Sequence, residues 1–151
     1  MSHPTSYQYK AGLMNVGSYQ VSGKPFVSGN VKAGAPHSGP GSVRVTFPKV
    51  TRWVQVENWG AVDLYVGFSR NGITVNDNYF IVKSSGSVGP LELKVTELHL
   101  SGAAGWGVAP SEQACVIAGL TFIANDTINN SGMSPSQSPV VGTNWSGSTG
   151  V

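Results

Sequence analysis

The amino-acid sequence predicts an all-β protein, an antiparallel β-sandwich of immunoglobulin-like or jelly-roll type with extended N- and C-terminal arms. The middle of the chain is a series of short segments in which apolar and polar residues alternate, the pattern of strands with one buried face. Turn-forming residues separate these segments at short, regular intervals, as in sandwich folds. Glycines interrupt every long candidate helix, and only Pro110–Ala114 could form a helical turn.

Each of the seven predicted strands has its own alternation or apolar run. In Ser42–Phe47 the valines alternate with polar residues, and Pro48 ends the segment. The last strand, Cys115–Ile123, is apolar on both faces, as a strand buried in a sandwich would be. The strands between them are Arg52–Asn58, Leu64–Phe68, Tyr79–Val82, Leu91–Val95 and the segment of Leu98 and Leu100.

The connections follow from turn chemistry. Asn58–Ala61 is turn-like, and Ser69–Gly72 contains the Asn-Gly pair that favours tight hairpins. The stretches SSGSVGP (84–90) and SGAAGWGVAP (101–110) are predicted to be loops. Near the N-terminus, the sequence around Pro25–Val27 predicts a small hairpin or a strand added to the sheet edge of a neighbour.

Composition divides the chain into an N-terminal arm over residues 1–40, a sandwich domain over 41–124 and a C-terminal tail over 125–151. Both ends are rich in Gly, Ser, Pro and Asn, and such segments bury too little apolar surface to order alone. Only 11% of residues are charged, against about 25% in an average soluble protein. We therefore expect the arms to gain order by docking onto other subunits.

Charge is distributed unevenly. The nine basic residues and seven acidic residues give a net charge of +2, but no acidic residue occurs before Glu57. A basic arm on an acidic body suits packing between protein subunits. The basic residues are too dispersed to predict a nucleic-acid patch, and no apolar run is long enough to predict a membrane span.

The sequence contains no recognisable catalytic or metal-binding motif, so we expect no enzymatic activity and no cofactor. His99 alternates with apolar neighbours and is predicted to have a structural or solvated role. Cys115, the only cysteine, excludes an intrachain disulfide and is predicted to be a buried, inert thiol. The Asn76-Asp77-Asn78 segment, with Asp63 elsewhere, is the nearest approach to a metal signal, but turn chemistry explains it better.

Several motifs resemble a family of small virion structural proteins of marine tailed bacteriophages and related aquatic viruses. They are GLMNVGSYQVSG (12–23), FPKVTRWVQVENWG (47–60), LYVGFSRNG (64–72) and ELHLSG (97–102). The resemblance covers roughly residues 12–123. It implies a β-sandwich virion component at the capsid surface and brings no catalytic residues with it.

The predicted function is that of a capsid decoration or cement subunit, made in the host cytoplasm and located in the virion. Its partners would be the major capsid protein or other virion proteins and further copies of itself, with a trimer favoured. The predicted assembly residues are Tyr7, Tyr9, Leu13, Tyr19, Phe26 and Trp145.

Two other functions stay open. A tail or fibre adsorption module could bind host-surface glycans through loop aromatics such as Trp59 and Trp106, because exposed indole rings stack on sugars. A sandwich-fold hydrolase would need an acid/base or nucleophile set that the sequence does not display.

Overall fold

A computed structural model describes residues 16–20, 23–32, 42–74, 77–103 and 113–124. These residues form a single 3₁₀ turn, eight strands and one short helix. The 3₁₀ turn covers Val16–Tyr19. The strands are β1 (Lys24–Val31), β2 (Val43–Thr46), β3 (Thr51–Asn58), β4 (Leu64–Gly67), β5 (Phe80–Val82), β6 (Ser87–Leu91), β7 (Glu97–Gly102) and β8 (Ala114–Leu120), and the helix α1 (Arg70–Thr74) lies between β4 and β5.

The strands form two four-stranded antiparallel sheets, which confirms the predicted β-sandwich. The strand order is β1-β8-β3-β6 in the first sheet and β2-β7-β4-β5 in the second. The first strand therefore pairs with the last, the second with the seventh, the third with the sixth and the fourth with the fifth. This nesting is the connectivity of a jelly roll. It decides against the immunoglobulin-like alternative, in which an early hairpin stays within one sheet.

The core lies between the two sheets and consists of the alternating apolar residues of each strand. Val54 and Val56 of β3 face Leu64 of β4 and Leu100 of β7, and all four are nearly fully buried. Phe47, which follows β2, is completely buried. Because the period-two pattern places every second residue toward the core, the strands within 42–47, 52–58 and 64–68 were predicted correctly.

The N-terminal boundary of the sandwich lies earlier than the predicted residue 41. β1 pairs with β8 in antiparallel register from Lys24 opposite Leu120 to Val31 opposite Ala114. Residues 24–31 therefore form an edge strand of the subunit's own sheet, where the sequence had predicted part of an arm. Most residues of β1 are exposed, so its alternation is weak and its composition is that of a linker.

Four further local predictions were wrong. Ser69–Gly72 does not form a hairpin turn, because the Ser69 hydroxyl accepts the Gly72 N–H at 2.9 Å and starts α1, as an N-cap does. The predicted 84–90 loop contributes the strand β6, which ends at Leu91. The strand predicted over Leu91–Val95 is therefore not formed beyond its first residue, because Leu93 and Val95 hydrogen-bond to Thr51 at the start of β3. The predicted helical turn at Pro110–Ala114 also fails at its last residue, since Ala114 begins β8; the rest of that turn lies outside the described residues.

Both ends of the sandwich domain meet at one pole. Gly23, just before β1, donates its backbone N–H to Leu120 O at 2.7 Å, and Val50 donates to Ile123 O at 3.1 Å. β3 begins at the same level, with Thr51 opposite Leu120. The opposite pole carries the other ends of these strands, where Asn58 lies opposite Ala114.

Candidate functional site

The outer face of the β1-β8-β3-β6 sheet carries a row of polar and aromatic side chains. It is set by the alternation of β3, which buries Val54 and Val56 and directs Trp53, Gln55 and Glu57 outward, where each is half-buried. Trp59 extends the row by one further step, because its backbone N–H still donates to Gln113 O at 2.8 Å.

Hydrogen bonds connect three members of this row. Gln55 Nε2 donates to Glu57 Oε1 at 3.0 Å, and Trp59 Nε1 donates to Glu57 Oε2 at 3.1 Å. The Glu57 carboxylate thus holds an amide on one side and an indole on the other. A bond to an ionised acceptor is stronger than a neutral one, so Glu57 fixes the orientation of both neighbours.

Two bulges flank the N-terminal half of the row. In the β3–β8 pairing, Thr51 lies opposite Leu120 and Trp53 opposite Gly119, so Arg52 has no partner residue. In the β3–β6 pairing, the register shifts by a residue between Val54 and Val56. A bulge bends its strand and re-aims the side chains next to it.

Glycine is required at the second bulge. Gly89 has φ 121°, and a Cβ there would lie 2.8 Å from Val54 O. Any side chain would therefore be strained and would collide with β3. Because the Gly89 backbone lies this close to β3, the neighbouring Pro90 is placed beside Gln55.

The bulges enclose a groove of about 190 Å³ lined by Arg52, Trp53, Gln55, Pro90 and Glu92. Arg52 Nη2 lies 3.4 Å from Glu92 Oε1, and this pair spans the groove between β3 and the end of β6. The indole and the proline ring supply apolar walls, while the guanidinium, amide and carboxylate supply hydrogen-bonding groups.

The chain beyond β6 is anchored by a buried threonine. Thr51 Oγ1 donates to Leu93 O at 2.6 Å and accepts the Val95 N–H at 2.9 Å. These bonds hold residues 93–95 against the start of β3. Glu92 is therefore presented to the groove by a fixed backbone.

Trp59 lies over the outer face at the far end of the row. Its Cη2 atom is 3.9 Å from the position that a Cβ on Gly29 of β1 would occupy. β8 runs between β3 and β1, so the ring crosses β8 near Cys115, which lies opposite Glu57. This cover explains why Cys115 is only 4% exposed although it faces away from the core, while Trp59 itself is 51% exposed.

The predicted burial of Cys115 is confirmed. Burial raises the pKa of the Cys115 thiol, and the nearby Glu57 carboxylate raises it further. A raised pKa lowers the thiolate fraction at neutral pH, and the thiolate is the reactive form. The geometry therefore favours an unreactive thiol.

His99 lies on the outer face of the other sheet and is buried. Its Nε2 donates to Glu97 Oε1 at 3.0 Å, and Arg44 Nη1 lies 3.6 Å from Glu97 Oε2. Helix α1 packs against β4 and β7 on this face, with Ile73 fully buried. His99 and Ser101 are 6% and 0% exposed, so the His99 side chain is buried and not solvated.

Several predicted residues lie outside the part of the chain that the structure describes. These are Tyr7, Tyr9, Leu13 and Trp145 of the predicted assembly set and Trp106 of the predicted glycan set. Tyr19 ends the 3₁₀ turn. Phe26 packs edge-to-face on Phe47, with ring centroids 5.0 Å apart, so this ring contributes to the packing of the subunit itself.

The predicted turn chemistry is visible at Asp77, which has φ 54°. Its neighbour Asn78 donates its backbone N–H to Gly72 O at 2.8 Å. Within the described ranges, no group of three or more His, Cys, Asp and Glu side chains could hold a metal ion. None of the helical residues described here forms a segment long and apolar enough to cross a membrane.

Comparison with models of known families, with curated proteins and with solved structures found no match.

The row of Trp53, Gln55, Glu57 and Trp59 is visible in the sequence as a period-two pattern. Pro90 and Glu92 were missed as partners of this row, because their position depends on the pairing of β6 with β3.

Proposed function

We propose that this chain is a structural subunit of a virus particle, a capsid decoration or cement protein that docks through its two terminal segments. The observation that carries the proposal is the common exit of both segments. Gly23 and Leu120 are joined by a backbone hydrogen bond of 2.7 Å, so the two segments are attached to the sandwich at adjacent points. Both can then engage one neighbouring surface.

The jelly roll is consistent with this role without deciding it. Double-sheet jelly rolls occur in viral capsid proteins and also in lectin domains, and a fold alone does not define a function. The sequence motifs that resemble marine phage virion proteins add support from a separate source. The motifs themselves lie before β1 and on β3, β4 and β7, and the resemblance as a whole spans roughly residues 12–123.

The surface composition also supports burial against other proteins. With 11% charged residues, the subunit pays little desolvation cost when its surface is covered. Val16 precedes Gly23 by seven residues and Phe122 follows Leu120 by two. Their side chains are 63% and 61% exposed. Covering these side chains in a subunit contact would remove their apolar surface from water, which favours docking. We propose a homo-oligomer, with a trimer favoured, and capsid proteins as partners.

The test is add-back of purified protein to particles that lack it. Deletion of residues 1–15, or of residues 125–151, leaves every described strand in place. Each truncated protein should keep its far-ultraviolet circular dichroism spectrum and lose particle occupancy. A truncated protein that incorporates at the wild-type level would contradict docking through that segment.

A longer deletion of residues 1–30 is unsuitable for this purpose. It would remove nearly all of β1 and expose the hydrogen-bonding edge of β8, so loss of occupancy would follow from loss of the fold. Sedimentation of the full chain tests the oligomer separately, and a monomer at all accessible concentrations would contradict the trimer.

A further inference from the structure

We propose that the outer face of the β1-β8-β3-β6 sheet binds a neutral oligosaccharide, which lies along β3 from the groove at Trp53 to the ring of Trp59. The inference stands independently of the virion proposal, since it concerns a different surface. It is carried by the groove, by the spacing of the two indoles and by the charge of the side chains between them.

The two indoles are placed to contact separate rings of one chain. Trp53 and Trp59 are six residues apart on the same face, which corresponds to about 20 Å along an extended strand. This length accommodates several linked pyranose rings. Sugar rings present C–H groups on one face, and these pack against the electron-rich face of an aromatic ring.

The side chains between and beside the indoles are of the type that recognises hydroxyl groups. Arg52, Gln55, Glu57 and Glu92 all have planar ends with paired donors or acceptors. Gln55 and Glu57 are already held by the hydrogen bonds that connect them to each other and to Trp59. Because their orientation is fixed before binding, less entropy is lost when a ligand binds.

Charge selects a neutral ligand. The groove and the row contain one guanidinium, that of Arg52, and two carboxylates, those of Glu57 and Glu92. Arg52 is engaged by Glu92 at 3.4 Å, so the one guanidinium of the described row and groove already has an anionic partner. Sulfated or uronate-containing glycans would meet a net negative surface, which disfavours them.

The groove itself accepts a single ring. Its volume of about 190 Å³ is below the roughly 300–1,000 Å³ of sites for drug-sized molecules. Trp53 and Pro90 form its apolar walls. The remaining rings would lie on the open face toward Trp59, at the pole opposite the terminal segments.

The test uses the full-length protein and an array of neutral gluco-, manno- and galacto-oligosaccharides beside sulfated and uronate-containing ones. The best neutral glycan is then measured by calorimetry. Trp53→Ala, Trp59→Ala and Gln55→Ala should each weaken binding at least about tenfold, the loss typical of a side chain central to an interface. Ile81→Ala, an exposed apolar residue on β5 of the other sheet, should change affinity less than about twofold.

Three results would overturn the inference. They are the absence of binding to every neutral glycan at millimolar concentration, a preference for acidic glycans, and wild-type affinity in both tryptophan variants. If Trp53→Ala fails to fold, Trp59→Ala and Gln55→Ala provide the decision, and wild-type affinity in both would overturn the inference in the same way. Deletion of residues 1–15 should leave glycan binding unchanged, which separates this outcome from failure of the virion proposal.

Discussion

The Asn58 side chain holds together the pole of the sandwich that lies opposite the terminal segments. Replacing Asn58 with alanine tests how much this side chain contributes to the stability of the fold. The residue ends β3 and is 1% exposed. Its Nδ2 donates to Val62 O at 2.8 Å and to Val82 O at 3.1 Å, and its Oδ1 accepts the Gly60 N–H at 2.8 Å. One side chain thus joins β3, the turn after it and β5.

The expected loss in the free energy of unfolding can be estimated from these three hydrogen bonds. A hydrogen bond between neutral groups contributes about 0.5–1.5 kcal/mol net, and a buried partner left unsatisfied costs about 1–3 kcal/mol. We expect Asn58→Ala to lower the free energy of unfolding by about 3 kcal/mol. Ser87→Ala, at an exposed position on β6, is the control and should stay within about 0.5 kcal/mol of wild type.

Asn58→Asp sharpens the test because it changes only the donor. The new side chain can still accept from Gly60, but a second oxygen replaces Nδ2 and faces the carbonyls of Val62 and Val82. At neutral pH the buried carboxylate should cost more than alanine does. Acidification should recover part of the loss, since a protonated carboxyl regains one donor and the folded state favours the neutral form.

Urea unfolding followed by tryptophan fluorescence and circular dichroism measures these differences, with the slope of the transition checked for two-state behaviour. A loss below about 1 kcal/mol in Asn58→Ala would refute the reasoning, because three buried bonds cannot be worth so little. Equal stability of wild type and Asn58→Asp at pH 7 would refute it as well.

Three further predictions concern other parts of the sandwich. Phe26→Ala should lower the free energy of unfolding by about 2 kcal/mol in the isolated subunit, since the ring is half-buried and a fully buried one costs about 3–5 kcal/mol; unchanged urea unfolding would assign this ring to assembly alone. Trp59→Ala should speed modification of Cys115 by a thiol reagent in the native protein, and an unchanged rate would show that the indole does not cover the thiol. The hydrogen bond from Lys83 lowers the pKa of Asp63. The stabilising effect of this pair is therefore present above the unfolded-state pKa of about 3.9 and is lost as the pH falls through the lower pKa of the folded state. The thermal midpoints of wild type and Asp63→Asn should converge as the pH falls below about 4, and a constant difference between them would contradict this linkage.

The sequence was most informative where a strand has one buried face. Val54 and Val56 of β3, and Leu64 and Val66 of β4, repeat at period two because both strands cover the core. The prediction of those strands required no tertiary information. The same alternation places Trp53 and Glu57 on the face opposite Val54 and Val56.

The edge strand β6 and the helix α1 could not be predicted from local sequence, because both are formed by contacts with strands distant in the chain. β6 contains Gly89 and Pro90, which read as a loop, and its strand conformation follows from pairing with β3. An edge strand tolerates proline because one side of its backbone needs no partner. α1 forms where the local Asn-Gly pair favours a turn, because its Ile73 side chain is buried against the outer face of β4.

The candidate site shows the same division. Trp59 was named from the sequence as a loop aromatic that could stack on sugars, whereas Trp53 joins it in the site only because both lie on the outer face of β3 and its continuation. Two features of the site could not be predicted from the sequence. The hydrogen bond that joins Trp59 to Glu57 depends on side-chain rotamers, and the position of Glu92 at the groove depends on the register between β3 and β6. Periodicity identifies the strand that presents a site, whereas a site built across strands requires the pairing.

The jelly roll separates the two proposed roles in space. The strand pairing places Lys24, Thr51 and Leu120 at one level and Asn58 and Ala114 at the other. In the proposed role, segments attached beside Leu120 would dock at one pole, while Trp59 is presented at the opposite one. A subunit attached to a shell by its terminal segments would direct the exposed indole away from that shell, where a glycan can reach it. The geometry makes the two proposals compatible, and each can fail without the other.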